Sequence, residues 1–234
     1  MSHDELAQIE ARYARRGASA ADRYSLLRPD VWQIWAERHR ALLRGLARQP
    51  TGPQHWRVLE VGCGAGGNLL DLLRLGCQPE HLTGLELLPE RLAAAQACLP
   101  AAVRLLGGDA TTASIAPASQ DLVLQFTVFS SILDADLQQR LAAAMWRWLK
   151  PGGAVVWYDF VVNNPGNPDV RGVPLARVRA LFPEGVLRAE RLTLAPPLAR
   201  AVCRVHPGLY GLFNALPLLR THRLVWIEKR QSAA

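Results

Sequence analysis

Gly62, Gly64 and Gly66 stand between an apolar run, Val58–Val61, and a helical pattern, in VLEVGCGAGGNLL. Without a Cβ these positions can take positive φ and let the backbone approach a ligand closely. The segment is therefore suited to holding a nucleotide-like cofactor over the start of the next helix. Gly62, Gly64 and Gly67 also satisfy GxGxxG, the fingerprint of dinucleotide binders, so the glycines alone leave two cofactor classes open. Glu60, two residues before the first glycine, bears on the choice: a carboxylate there is awkward beside a pyrophosphate and suits a cationic ligand. Glu86 closes the next apolar run, LTGLE, about twenty residues past the turn, where α/β nucleotide-binding folds place an acid on the ribose hydroxyls.

Further polar residues close the later apolar runs. Gln125, Phe126 and Thr127 end one of them. Tyr158 and Asp159 end another and lead into a loop carrying Asn163, Asn164, Asn167, Asp169 and Arg171, in which Pro165 and Pro168 limit freedom. Tyr158, Asn163, Asn164 and Arg171 are candidates for hydrogen-bonding a substrate; the alternative is a set of Asx and proline turns that needs such residues only to shape itself. His222 opens the last apolar run.

Helical spacing over 4–17 and 29–49, the second through Val31, Ile34, Trp35, Leu42, Leu43 and Leu46, predicts two amphipathic helices. Pro50, Gly52 and Pro53 end them. From there short apolar runs alternate with helical patterns, which predicts an α/β fold with a parallel sheet and helices on both faces. Strands are expected near 56–61, 81–86, 103–106, 121–126, 153–160, 187–194 and 222–229, and helices near 66–75, 89–98, 136–149 and 174–181. Residues 1–50 are expected to form a helical cap and 51–234 the α/β domain. Ligands of open α/β sheets bind outside the carboxyl ends of the strands. The polar residues above gather at that edge.

Glu60 with the three glycines gives ExGxGxG, and the segment resembles the class I S-adenosylmethionine-dependent methyltransferases. The resemblance extends in order through Glu86, Gly108–Asp109–Ala110 and LKPGG at 149–153. It implies a Rossmann-like seven-stranded sheet with an antiparallel last strand, and S-adenosylmethionine as cofactor. Glu60, Gly62, Gly64, Gly66, Glu86, Asp109, Ala110 and Gln125 are the expected cofactor-binding residues. Glu60 would hold the amino group or organise the turn, and Asp109 would accept from the adenine amino group beside the small Ala110. LKPGG would turn the chain ahead of the fifth strand, and a loop flanked by Tyr13 and Tyr24 would fold over the cofactor, with Arg12 and Arg23 exposed. In the implied strand order the last strand lies beside the fifth, so Asp159 and His222 could meet and act as a catalytic base pair.

The same topology puts the connection 195–220 at the carboxyl face as a lid-like insertion roofing the pocket. Leu209, Tyr210, Leu212, Phe213 and Leu216 make it apolar, which suits a hydrophobic or lipid-linked acceptor or a membrane surface; the alternative is a helix burying that face on the core. A looser likeness of the C-terminal third to small bacterial methyltransferases of polysaccharide or secondary-metabolite pathways implies O-methylation of a small molecule, glycan or lipid-linked intermediate. No acidic or amide residue followed by Pro-Pro-aromatic stands after the fourth strand, which disfavours DNA N-methylation. A noncatalytic methyltransferase-like subunit is the contrasting reading, argued against by the intact Glu60, Gly62, Glu86 and Asp109. An NAD(P) oxidoreductase would need a hydride-site pair such as Tyr/Lys, and the sequence offers none.

Composition narrows the rest. Half of the 234 residues are hydrophobic, enough for a sizeable core. The net charge of +7 is almost wholly arginine, scattered along helical patterns rather than in a basic stripe interleaved with aromatics, which disfavours a nucleic-acid substrate. Cys63, Cys77, Cys98 and Cys203 form no CxxC or Cys/His cluster, so no metal site and no disulfide framework is expected. MSHDELAQIEARYARR lacks the apolar core of a signal peptide, and a cytoplasmic location is expected.

Overall fold

Every residue of Val58–Val61 is buried, as a strand covered by helices on both sides requires. In this computed structural model, which describes residues 2–16, 25–163 and 166–231, that run is β1. With β2 (Leu82–Glu86), β3 (Arg104–Gly107), β4 (Gln120–Phe126), β5 (Leu149–Phe160), β6 (Val186–Leu194) and β7 (Arg220–Glu228) it builds one seven-stranded sheet in the order β3-β2-β1-β4-β5-β7-β6. The first five strands pair in parallel, and β7 runs antiparallel to β5 and β6. This is the Rossmann-like sheet with an antiparallel last strand that the sequence predicts. Its strand order reverses between β1 and β4, which opens a crevice at their carboxyl ends.

The helices are α1 (Ser2–Arg16), α2 (Pro29–Leu46), α3 (Gly67–Arg74), α4 (Pro89–Cys98), α5 (Ala135–Trp148), α6 (Leu175–Leu181), α7 (Pro196–Val205) and α8 (Leu209–Asn214). Strand alternation sorts the core into two layers. Leu59, Val61, Val123, Val155 and Trp157 pack with Met145 and Trp148 of α5, Val178 of α6 and Ile9 of α1. Val58, Leu122, Leu124, Val156 and Tyr158 pack with Leu42 and Leu46 of α2 and Leu69 and Leu72 of α3. The two N-terminal helices thus serve opposite faces of the sheet.

LKPGG differs from expectation. It lies inside β5 rather than ahead of it, where the ladder to β4 jumps from Gln120–Leu149 to Leu122–Ala154 and Gly152 takes φ +79°. The proline and glycines form a bulge in the strand, pinned by Lys150 Nζ at 2.8 and 2.9 Å from the two Asp121 carboxylate oxygens.

The β6–β7 connection lies at the carboxyl edge, as an antiparallel last strand demands, and folds into α7 and α8. Its buried residues Ala199, Val202, Cys203 and Tyr210 cluster with Leu194, and Ile34 of α2 packs against them. Glu37 of α2 locks the contact: Oε2 accepts from the Tyr210 hydroxyl at 2.6 Å and the Thr193 N–H at 3.1 Å, and Oε1 from Asn214 at 2.7 Å. Among the described residues no helix is long and apolar enough to cross a membrane.

Candidate active site

The turn after β1 is held by the end of β2. Gly62 and Cys63 both donate to the Leu85 carbonyl, at 2.8 and 3.0 Å. The Glu86 carboxylate then accepts the Gly64 N–H on Oε2 at 2.7 Å and the Leu88 N–H on Oε1 at 3.0 Å. Gly64 sits at φ +57° with no atom within 4 Å of where a Cβ would project, so its face is open. Gly66, at φ +84°, would drive a Cβ to 2.6 Å from Leu99 Cδ1, so it is glycine for packing as well as for conformation.

Alternation along β1 turns Glu60 to the α2–α3 side of the sheet. Its Oε1 accepts from Asn68 Nδ2 at 2.5 Å, and Asn68 Oδ1 accepts from Arg38 of α2 at 3.1 Å. The Arg38 guanidinium in turn lies 5.1 Å from the Phe126 ring centroid and 5.6 Å from that of Tyr158. Glu60 Oε2 is buried with no hydrogen-bond partner. Burial pushes the Glu60 carboxyl up to about 8, against the opposing pull of Asn68 and Arg38.

On the other side of the turn a cavity of about 790 Å³, part of it open to solvent, is lined by Gly62, Glu86, Asp109, Ala110, Thr127 and Tyr13, among others. Asp109 caps a 3-10 turn at Ala110–Thr112, accepting the Thr111 N–H on Oδ1 and the Thr111 hydroxyl on Oδ2, each at 2.8 Å. An ionised carboxylate has about four acceptor positions, so Glu86 and Asp109 each keep capacity for a ligand. Thr127 occupies φ +59°, a strained conformation for a β-branched residue of the kind that recurs at active sites.

The roof of this cavity is α1, through Leu6, Ile9 and Tyr13, and none of residues 195–220 lines it. The insertion instead covers α2, because its apolar residues find Ile34 and the Glu37 clamp there. Arg12, expected to be exposed, is buried: it donates to Glu5 Oε1 at 2.7 Å and to the Ser131 carbonyl at 3.1 Å. The Tyr13 hydroxyl meets Ser131 Oγ at 3.2 Å, and the Arg91 guanidinium covers its ring at 4.5 Å. Arg23 and Tyr24 lie outside the described residues.

Several other expectations meet a different geometry. Asp159 and His222 do not face each other: in the β5–β7 register Asp159 pairs with Arg223 and Phe160 with His222, and one step of register puts two side chains on opposite faces. Asp159 is buried, its carboxylate accepting the Ser130 and Phe160 N–H groups, each at 3.0 Å. Burial raises its carboxyl to about 7. His222 stacks on Tyr158 with ring centroids 5.0 Å apart, and burial, with Arg38 nearby, lowers it to about 4. Gln125 is fully buried and spent, its Oε1 accepting the Val128 N–H at 3.1 Å and its Nε2 reaching the Tyr158 carbonyl at 3.5 Å. It shapes the turn after β4 instead of lining the cavity. Tyr158 is buried with its hydroxyl on Thr193 Oγ1 at 2.8 Å. Asn163 Oδ1 accepts the Gly172 N–H at 2.9 Å, closing its own loop, and the Arg171 N–H donates to the Ser130 carbonyl at 2.8 Å while its side chain is exposed. Asn164 lies outside the described residues.

Residues 58–153, from β1 into the bulge of β5, match the family described as methyltransferase domain. That segment is a methyltransferase domain. Among curated proteins none matches it in sequence. In fold, this methyltransferase is similar to an S-adenosylmethionine-dependent methyltransferase of Thermotoga maritima, at 16% identity over 95% of this chain and 100% of that one, TM-score 0.63. An Archaeoglobus fulgidus S-adenosylmethionine-dependent methyltransferase gives 16% identity over 82% and 94%, TM-score 0.60. Phosphoethanolamine N-methyltransferase 2 of Haemonchus contortus, in complex with S-adenosylmethionine, gives 18% identity over 84% of this chain and 53% of that one, TM-score 0.60.

Arg38 and Asn68 of this methyltransferase escape sequence reading. Arg38 belongs to an arginine-studded helix that reads as a solvated face, and only the α2–sheet packing turns it inward. Asn68 had a local signal: a polar side chain in the first turn of α3, placed where it can reach back to β1.

Proposed function

We propose that the methyltransferase binds S-adenosylmethionine across the β1 turn and transfers its methyl to an ionised oxygen, a carboxylate or phenolate, of a small or lipid-linked acceptor. The observation that carries the cofactor placement is Glu60 Oε2, a buried acceptor without a partner beside an open glycine turn. Leaving such a group unpaired costs about 1–3 kcal/mol, more when it is charged, and an ammonium group arriving at the turn removes that cost. Glu86 fits the ribose hydroxyls, and Asp109 with Ala110 fits the adenine edge, through the acceptor positions their backbone contacts leave free. The bound cofactor supplies a methyl already activated by the sulfonium.

The chain's own part is then alignment and exclusion of water. Ile9 and Tyr13 cover the adenosine side, and the strained Thr127 fixes the wall after β4. The nature of the acceptor follows from what surrounds it. With Asp159 committed to two N–H groups and His222 neutral on the other face, the expected Asp159–His222 base is not assembled to strip a sugar hydroxyl. Arg38, a cation against Phe126 of the cavity wall, favours an oxygen that arrives already ionised.

The test uses labelled S-adenosylmethionine and extract from the source cells, with mass analysis of the product. Label released by mild alkali, as from a methyl ester, or held on a phenol oxygen is the expected result, and label on nitrogen or carbon overturns the oxygen acceptor. The His222→Ala variant should keep turnover within about threefold, since a residue outside the chemistry changes the barrier by well under 1 kcal/mol; a loss of a hundredfold or more would restore it as the base.

A further inference from the structure

We propose that the outward face of α7 and α8, together with the entry to α2, docks the protein on an anionic phospholipid surface. Val205, Leu212, Leu216 and Leu218 are 79%, 67%, 57% and 87% exposed, and Leu27, just ahead of α2, is 95% exposed. Single exposed apolar residues are ordinary. Here four fall within one short connection whose opposite sides, through Ala199, Val202, Cys203 and Tyr210, already supply its packing. The entry to α2 lies alongside. Ile34 packs on that cluster, and the Asp30 carboxylate is close enough to help raise the Cys203 thiol. Leu27 and the half-exposed Trp32 therefore extend the same end of the molecule.

Charge selects the occupant. From Arg191 to Ile227 the chain has no Asp or Glu, yet it carries Arg191, Arg200, Arg204, Arg220 and Arg223. Arg200 and Arg204 stand one turn apart on α7, with Arg204 and Val205 both exposed. Neighbouring acids are engaged: Asp30 pairs with Arg28 at 3.3 Å, Glu190 with Arg44 at 2.6 Å, and Glu37 holds Tyr210 and Asn214. Arg191 and Arg220 are turned onto the carbonyls of Arg220, Asn214 and Arg191, so the charge beside the ridge is that of Arg200 and Arg204. An apolar ridge flanked by these two arginines and without acids of its own matches an interfacial helix on anionic lipid. A second copy would bring the same sign of charge against itself. Because the ridge springs from the end of β6 and the start of β7, it shares the carboxyl edge with the Gly62–Gly66 turn, and docking would set that edge toward the bilayer.

The proposal does not rest on the methyl-transfer reading, and its test reads lipid partition alone. In flotation with vesicles of phosphatidylcholine, with and without phosphatidylglycerol, the protein should float only with the anionic vesicles and less so as salt rises. Arg200→Ala with Arg204→Ala should lower partition about 25-fold, about fivefold for each arginine near an anionic surface. Leu212→Ser, Leu216→Ser and Leu218→Ser together should lower it on the order of a hundredfold, with thermal unfolding and S-adenosylmethionine binding unchanged. No flotation with the anionic vesicles, or equal flotation with neutral ones, overturns the proposal. So does a dimer in sedimentation equilibrium that the leucine substitutions dissolve, since the ridge would then cover a second copy.

Discussion

Glu86→Ala is expected to weaken S-adenosylmethionine binding by at least about a hundredfold and to lower stability as well. One carboxylate holds both the Gly64 and the Leu88 N–H. Its removal strands two donors, at about 1–3 kcal/mol for each that is left unsatisfied. In a domain of this size a loss near 3 kcal/mol lowers Tm by roughly 6–12 °C. The affinity loss has two sources, since the ribose partner disappears and the turn that presents Gly64 is no longer fixed. Glu86→Gln separates them only in part: its one oxygen can accept one of the two N–H groups while its NH2 faces the other donor, so it should recover at most about half of the stability and little of the affinity. Calorimetric titration and thermal unfolding of the two variants measure both. Wild-type affinity in Glu86→Ala would take Glu86 out of the cofactor site.

Cofactor affinity should also depend on pH through Glu60. Its carboxyl sits at about 8 in the protein without ligand because it is buried, and a cationic partner at Oε2 favours the ionised form. Binding below pH 8 must therefore expel a proton, and affinity should rise about tenfold per pH unit from pH 6 toward 8. Titration in buffers of different ionisation enthalpy should register the released proton. In Glu60→Gln the slope vanishes. The sign for folding is opposite. A carboxyl raised above its unfolded value contributes stability that is fully present below about 4.5 and is lost as pH rises through about 8, so the protein without ligand should unfold more easily at pH 9 than at pH 6, and Glu60→Gln should remove much of that difference.

The parts of this site that were legible in the sequence are the local ones. A glycine turn and a strand-ending acid each announce themselves within a few residues, because strand, turn and helix start are contiguous in the chain, whereas Asp109 is legible through the family resemblance alone. What depends on pairing between distant segments was not legible. Asp159 and His222 do come to neighbouring strands as expected, but a single step of register parts them across the sheet. The topology rule put 195–220 at the correct edge, yet which side of that edge it covers was decided by Glu37, which reads in sequence as one more charge on a helix. The cavity's roof fell to α1 through Ile9 and the Arg12–Glu5–Ser131 contacts, long-range packing that amphipathic spacing cannot locate. Gln125 and Tyr158 look like ligand contacts because they end strands at the active edge. Their polar atoms are consumed by the turn and by Thr193.

The most direct test of the methyl-donor site is calorimetric titration of the purified protein at pH 8 with S-adenosylmethionine and, separately, with NADH. Binding of S-adenosylmethionine at one site per chain, at least about a hundredfold weaker in Glu86→Ala, with no heat from NADH, is the predicted result. Saturable NADH binding without S-adenosylmethionine binding would contradict it.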